Sequence, residues 1–351
     1  MRKPYIIGET AYNHEGSFDY LLRMTEDIAA CQLDAVKYHL LFNLDSYYQK
    51  DHPLLGEASK WVFSEEQWSQ LFQRAITLGL EIVALCDDVD SLAFICRQFP
   101  SIFAIEIHAT SINDVMMLRE AAGFPGKVIL GVGGSSVDEV EYALGILYAN
   151  EKPDVLLMHG FQAYPTNYAD INLAKMAKLR DLFGLPVGYA DHTAYDDPNN
   201  EIVTALGFAL GADVIEKHFT PDYGVERIDY HAAVGAEQMR RISELTALFA
   251  KAIGNGRLEL TAAEKKYGNT GPMKKAIVAR QPIAKGETIT IDNVCFKRTV
   301  EESTVRQKDL ENLLGQKAAR NIDRDEIIDF SKVAYSFGPM SLDSFTNLSR
   351  D

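Results

Sequence analysis

The sequence predicts an α/β protein, a (β/α)8 TIM barrel followed by a small β-rich domain. Three observations predict it. Short β-branched runs alternate with stretches of helical period. Eight such units fit into about 250 residues, which matches a closed barrel better than a doubly wound open sheet. The alternation then stops after Ala252, and a segment of different character follows.

In order, the expected strands are Tyr5–Glu9, Ala35–His39, Glu81–Leu85, Phe103–His108, Lys127–Gly131, Asp154–His159, Pro186–Asp191 and Asp213–His218. Helical periodicity follows each strand, as in Tyr20–Ala30, Glu65–Leu78, Val137–Ala149, Leu173–Leu182 and Ile202–Leu210. Residues 1–254 are therefore assigned to the barrel. Residues 255–273 are polar and glycine-bearing and read as a linker. Beyond them Ala276–Arg280 alternates, Ala284-Lys285-Gly286 is a turn, Thr288–Ile291 is β-prone, and Asp292 is placed to cap a short helix. Residues 274–334 form the small β-rich domain, and 335–351 a polar tail.

Composition narrows the function. At 351 residues the chain exceeds one ordinary domain, and 47% hydrophobic with 24% charged residues reads as soluble and globular. A net charge of −15 argues against a nucleic-acid partner. An anionic substrate would need locally concentrated cations. Cys31, Cys86, Cys96 and Cys295 have no metal-ligand or redox spacing, which points to reduced thiols and a cytoplasmic location. Met1-Arg2-Lys3-Pro4 leads straight into a strand too short for a signal sequence, and no long apolar run suggests a membrane span.

Active sites of such barrels form at the carboxyl ends of the strands. Five of the eight histidines fall there: His39, His108, His159, His192 and His218. A lone strand-end histidine is more often a hydrogen-bonded structural residue. His192 in GYADHT and His218 in VIEKHFT differ because they end neighbouring strands, about one strand–helix repeat apart. Two imidazoles on one rim could hold a divalent metal and leave positions open for substrate oxygen. Asp191 and Glu216 are expected to alternate away from them and need not be ligands. Glu9 and Lys37 end the first two strands; Lys37 could meet a carboxylate or phosphate, form a Schiff base, or simply brace the interior by pairing with Glu9. The loop ETAYNHEG suits substrate contact, and HGFQAYPTNYAD, with Tyr164, Pro165 and Tyr168, suits stacking on a sugar ring. Gly131–Ser136 (GVGGSS) fits an anion loop and a tight strand–helix turn equally well.

The ordered strings GETAYNHEG, DAVKYH, AYPTNYAD, GYADHT and IEKHFT resemble the sialic acid (N-acetylneuraminate) synthase family, and VARQPIAKGETITIDNVCFKRT resembles its C-terminal antifreeze-like (SAF, β-clip) domain. The chain looks like the divergent branch of spore coat polysaccharide biosynthesis protein E. The resemblance implies condensation of phosphoenolpyruvate with an N-acetylated aldose such as N-acetylmannosamine, giving a nonulosonic acid and phosphate. It implies a divalent metal, Mn2+ before Mg2+ or Co2+, on His192 and His218. Glu9, Lys37 and Asp229 stand as catalytic residues, and Tyr164, Gln162, His39 and Arg298 as substrate-binding ones. A domain-swapped homodimer is implied, with Arg298 of one copy reaching the sugar of the other.

The pattern departs from the family in one cluster. Leu85-Cys86-Asp87-Asp88 replaces a Ser-Thr-Pro turn, and Glu106-Ile107-His108-Ala109-Thr110-Ser111 replaces Lys-Ile-Gly-Ser-Gly-Glu. Gly131 and Ala190 replace serines, and Lys37-Tyr38-His39 replaces Lys-x-Gln. Most of the lost groups would hold phosphate. A carboxylate about 4 Å from a phosphate charge is repelled by about 4 kcal/mol at an effective dielectric near 20. Two alternatives to the synthase follow: a metal-dependent aldolase or lyase using pyruvate or another less anionic donor, and a non-catalytic carbohydrate-binding descendant.

Overall fold

The computed structural model describes residues 4–149, 154–161, 163 and 165–334. Strands β1 (Ile6–Glu9), β2 (Ala35–Leu40), β3 (Glu81–Cys86), β4 (Ala104–Ile107), β5 (Lys127–Gly131), β6 (Val155–His159), β7 (Val187–Asp191) and β8 (Ile215–His218) close in sequence order into a parallel barrel. The last strand pairs with the first, Glu9 standing beside His218. The predicted (β/α)8 barrel is thus present, with strand ends within two residues of those expected.

Period-two alternation explains how these strands position a site. Ile7, Ala35, Val83, Ala104, Ile129 and Leu156 point inward and fill the barrel centre as an apolar plug. Their outward neighbours, such as Val36, Tyr38, Ile82 and Ile105, join the larger core beneath the helices. Tyr38 stacks on Phe72 at 5.6 Å and meets Trp68 edge-on. The helices start where short polar side chains satisfy free amides: Ser17 before Phe18–Ala30, the Ser64/Gln67 capping box before Glu65–Thr77, and Asp88 before Val89–Gln98.

The chain divides into two compact units after Gly256. In the second, β9 (Ala276–Ala279) pairs antiparallel with β10 (Val294–Lys297) over a core containing Ile277, Ile283, Ile289, Val305, Leu313 and Ile328. Two local expectations change. The stretch read as linker contains a helix, Ala262–Tyr267, held by a Thr261/Glu264 capping box. Asp292 caps no helix; it lies in a turn entering β10. The predicted tail lies outside the described residues. Among those described, all four cysteines are unpaired and no helix is long and apolar enough to cross a membrane.

Candidate active site

Above the apolar plug the inward positions turn from apolar to charged. β1 contributes Glu9, β2 Lys37 and His39, β4 Glu106, and β8 Glu216 and His218. Register sets their level: Glu9 lies opposite both Lys37 and His218. The Lys37 ammonium is 2.8 Å from Glu216, 3.0 Å from Glu106 and 3.4 Å from Glu9. All four side chains are buried. Burial alone would discharge the lysine, but Glu106, Glu216 and Glu9 together hold it above its usual range. Burial pushes the Glu216 carboxyl well up, with Glu9 adding to the rise. Burial would raise Glu9 too, yet Lys37 and His218 keep it well below the usual range. Of the three readings of Lys37, the bracing one describes its contacts, with three carboxylates rather than one.

His39 belongs to the same network. Its Nε2 is 2.7 Å from Glu9 Oε1 and its Nδ1 3.7 Å from Asp87 Oδ2, an ion pair rather than a hydrogen bond. Burial opposes its charge, but Asp87 and Glu9 raise it to about 10. Tyr12 donates its hydroxyl to Asp87 and packs on His39 at 5.0 Å.

His192 and His218 converge as the sequence predicts, with ring centroids 4.9 Å apart and planes at 79°. Glu9 completes the group: one ligand atom from each of Glu9, His192 and His218 lies within 4.8 Å of the others. His218 Nε2 is 3.1 Å from Glu9 Oε2. Burial, then the neighbouring His218, lowers His192 to about 3, so the imidazole is neutral and has a lone pair to give. Nδ1 of both histidines is buried without a hydrogen-bond partner among the described residues. Two imidazoles, each with an unpartnered buried nitrogen, and a carboxylate fit a divalent ion of borderline softness.

The surrounding network orients this triad. Asp191 points outward, where it accepts from Lys217 at 2.8 Å and Tyr189 at 2.7 Å, and from Thr193 and Thr204 at 2.6 Å each. It faces away from the triad, in line with the expected alternation. Glu216 differs from expectation: it lies two residues before His218, so the alternation sends both inward. Period two alone carries that signal. Asp87, Tyr12 and Trp61 were not singled out, since they meet only when three separate loops fold over the rim.

The mouth cavity, about 450 Å³, adjoins a second of about 580 Å³; His39, His108 and Asp229 line both. Tyr12 stacked on Trp61 at 4.4 Å, with Tyr47 and Tyr48, gives the second an aromatic wall. Asp229 sits at φ 63°, in the left-handed region, and its Oδ2 is 3.4 Å from the Tyr12 amide. His108 bonds Thr110 at 2.9 Å. His159 turns away from the cavity and bonds the Ile171 carbonyl at 2.9 Å, a structural histidine. Gln162 and Tyr164 lie outside the described residues. Arg298 is in the second unit, its Nε donating to the Pro272 carbonyl at 2.7 Å.

The glycine cluster is explained by close backbone approach. A Cβ on Gly133 would come 2.0 Å from the Gly160 carbonyl oxygen, and one on Gly160 2.0 Å from that of Ala190. A Cβ on Gly131 would lie 2.8 Å from the Ala109 amide nitrogen. Ser136 donates its amide and hydroxyl to Glu139 at 2.8 and 3.0 Å, a local contact at the start of the helix Val137–Ala149.

The NeuB family model matches residues 26–258, and the SAF domain model residues 274–334. An N,N'-diacetyllegionaminic acid synthase of Campylobacter jejuni is 27% identical over 343 residues, covering 93% of this chain and 99% of the relative. A solved N-acetylneuraminic acid (sialic acid) synthetase of Leptospira borgpetersenii, in complex with citrate, aligns with a TM-score of 0.69 and 26% identity, over 76% of this chain and 90% of the other. A structure from Chromobacterium violaceum described as spore coat polysaccharide biosynthesis protein E shares the fold with a TM-score of 0.80 and 23% identity, over 94% and 99% of the two chains.

Proposed function

The chain belongs to the NeuB family, and from that premise we propose that it is a carbohydrate-biosynthetic enzyme, a nonulosonic acid synthase in the broad sense. It joins a three-carbon donor of the phosphoenolpyruvate or pyruvate type to the aldehyde of an open-chain N-acetylated aldose. The observation that carries this reading is the convergence of Glu9, His192 and His218 at a barrel mouth continuous with an aromatic-walled cavity.

Glu9, His192 and His218 would hold the divalent ion, Mn2+ in the first instance. When bound, such an ion supplies Lewis-acid polarisation of the sugar aldehyde. The chain's residues do the rest. Tyr12, Tyr47 and Tyr48 line the wall a sugar would meet, with the buried Trp61 stacked on Tyr12, and Asp229 offers a carboxylate to its hydroxyls at the junction of the cavities. Lys37 fixes Glu9 by ion pairing, which keeps the third ligand in place. Asp191 and Lys217 brace the ends of β7 and β8 behind the two histidines.

The reading also takes Arg298 as the contact to the sugar's N-acyl group in a domain-swapped homodimer, and Tyr164 and Gln162 as sugar contacts. The four unpaired cysteines support a cytoplasmic location. The test is mass-spectrometric detection of a carbon–carbon coupled acid from N-acetylmannosamine or a di-N-acetylated hexose with Mn2+, offered both donors. No coupled product from any aldose would remove the assignment. Solution mass tests the dimer, and a raised sugar KM in Arg298→Ala tests the contact.

A further inference from the structure

Charge at the mouth cavity is distributed in an unusual way for a site that would take a phosphorylated donor. Glu9, Glu106, Glu216 and Asp229 line it; among the described residues Lys37 is its only lysine or arginine, and the His39 imidazole that also lines it is paired with Glu9 and Asp87. The Lys37 ammonium already faces three carboxylates within 3.4 Å. It has no geometry left for an external dianion. The wall between β4 and β7 offers little else. Gly131 cannot take a side chain while the Ala109 amide lies 2.8 Å from its Cβ position, and Ala190 presents a methyl group. Thr110, the one hydroxyl there among the described residues, is engaged with His108 at 2.9 Å. Each unit of donor charge about 4 Å from an ionised carboxylate is disfavoured by a factor on the order of a thousand before rearrangement.

We propose that the donor subsite accepts a three-carbon 2-oxo acid without phosphate, pyruvate being the simplest, with the Glu106 carboxylate in the position a phosphate would claim. This rests on the carbon–carbon bond-forming reading and names its donor class. The step balances without a leaving group. A C3–H bond of the oxo acid breaks and its proton passes to the Glu106 carboxylate, leaving an enolate. The enolate C3 forms a bond to the aldehyde carbon. The carbonyl electrons move to the aldehyde oxygen, which takes the proton back as a hydroxyl. No water is consumed and no phosphate is released.

The first half of this reaction needs no sugar and can be measured alone. The full chain is incubated with Mn2+ and pyruvate in D2O, and loss of the methyl proton signal is followed by NMR against Mn2+ without protein. Binding of pyruvate and of phosphoenolpyruvate is measured by calorimetry under the same conditions. The expected results are protein-dependent exchange, at least tenfold slower in Glu106→Gln, and phosphoenolpyruvate binding at least a hundredfold weaker than pyruvate. Glu106→Lys, if it folds, reverses the order of affinities. Absence of exchange, phosphoenolpyruvate binding within tenfold of pyruvate, or phosphate release with any N-acetylhexosamine would each overturn the proposal. Coupled product accompanied by phosphate release removes the donor class and leaves the synthase reading standing. Absence of coupled product from both donors removes the synthase reading itself.

Discussion

Lys37→Met isolates what the buried lysine does for the barrel. The three oxygen contacts at 2.8, 3.0 and 3.4 Å correspond to roughly 5 kcal/mol of attraction each at an effective dielectric near 20. Repulsion among the carboxylates and the burial of all four groups offset most of that. Removing one partner of a buried pair costs about 3–5 kcal/mol in measured cases, and that is the loss expected here near pH 8. The chain's two tryptophans, Trp61 and Trp68, both lie in the barrel unit, so urea unfolding followed by fluorescence reports on that unit alone. The pH dependence carries the sharper test. In the wild type the raised Lys37 pKa contributes stability that is fully present below the unfolded value of about 10.4 and is therefore constant from pH 5 to 8. In the variant, Glu106 and Glu216, already raised by burial, lose their cation and rise further above the unfolded value of about 4.3, while Glu9 keeps its contacts with His218 and His39. The folded state then binds more protons than the unfolded state, so the variant loses stability as pH rises from about 4.3 through those folded values. The deficit against wild type should therefore be smaller at pH 5 than at pH 8. A loss under about 1 kcal/mol, or one equal at the two pH values, would refute the network described for Lys37.

His192→Ala should lower Mn2+ affinity at least tenfold by calorimetry, and unchanged affinity would show that the triad is not the metal site. Gly131→Ser should destabilise the barrel by about 1–3 kcal/mol in the same fluorescence assay, because its Cβ must displace the Ala109 backbone; a neutral result would mean that this wall yields. Burial lowers His14 to about 3 and His108 to about 4. Their unfolded counterparts take up protons first, so barrel stability should fall as pH drops below about 6.5, by up to roughly 2 kcal/mol per histidine at pH 5. A His14→Gln variant that folds should show a shallower decline, and an identical slope would exclude His14 as a source.

The sequence carried the barrel clearly because eight period-two runs and their helices repeat one physical pattern. It carried His192 and His218 for the same reason: strands adjacent in sequence end on one rim. Glu9 was singled out, but its place between the two histidines depends on β1 closing against β8, a pairing of opposite ends of the barrel that no local pattern encodes. The departures from the family pattern at Glu106, Gly131 and Ala190 were also visible. The setting of Glu106 was not: it reads in sequence as an uncompensated charge, whereas the fold places it 3.0 Å from Lys37. Tyr12, Trp61 and Asp87 escaped because they come from three loops, and loop encounters leave no periodic trace. The helix at Ala262–Tyr267 was hidden by the polar composition of a short exposed segment, although the Thr261-x-x-Glu264 spacing signals it.

The stacked backbones at Gly131, Gly133 and Gly160 have an evolutionary corollary. Along that arc of the rim the main chain itself is the surface, so no exchange of side chains there can enlarge, shrink or recharge the opening without moving a strand. Across from it, the half-buried Tyr47 and Tyr48 present side chains to the opening, and these can change one at a time. Diversification of what enters this barrel is therefore confined to one bank: descendants of this chain can retune the aromatic shore by point mutation, while the glycine shore changes only by rebuilding the loops.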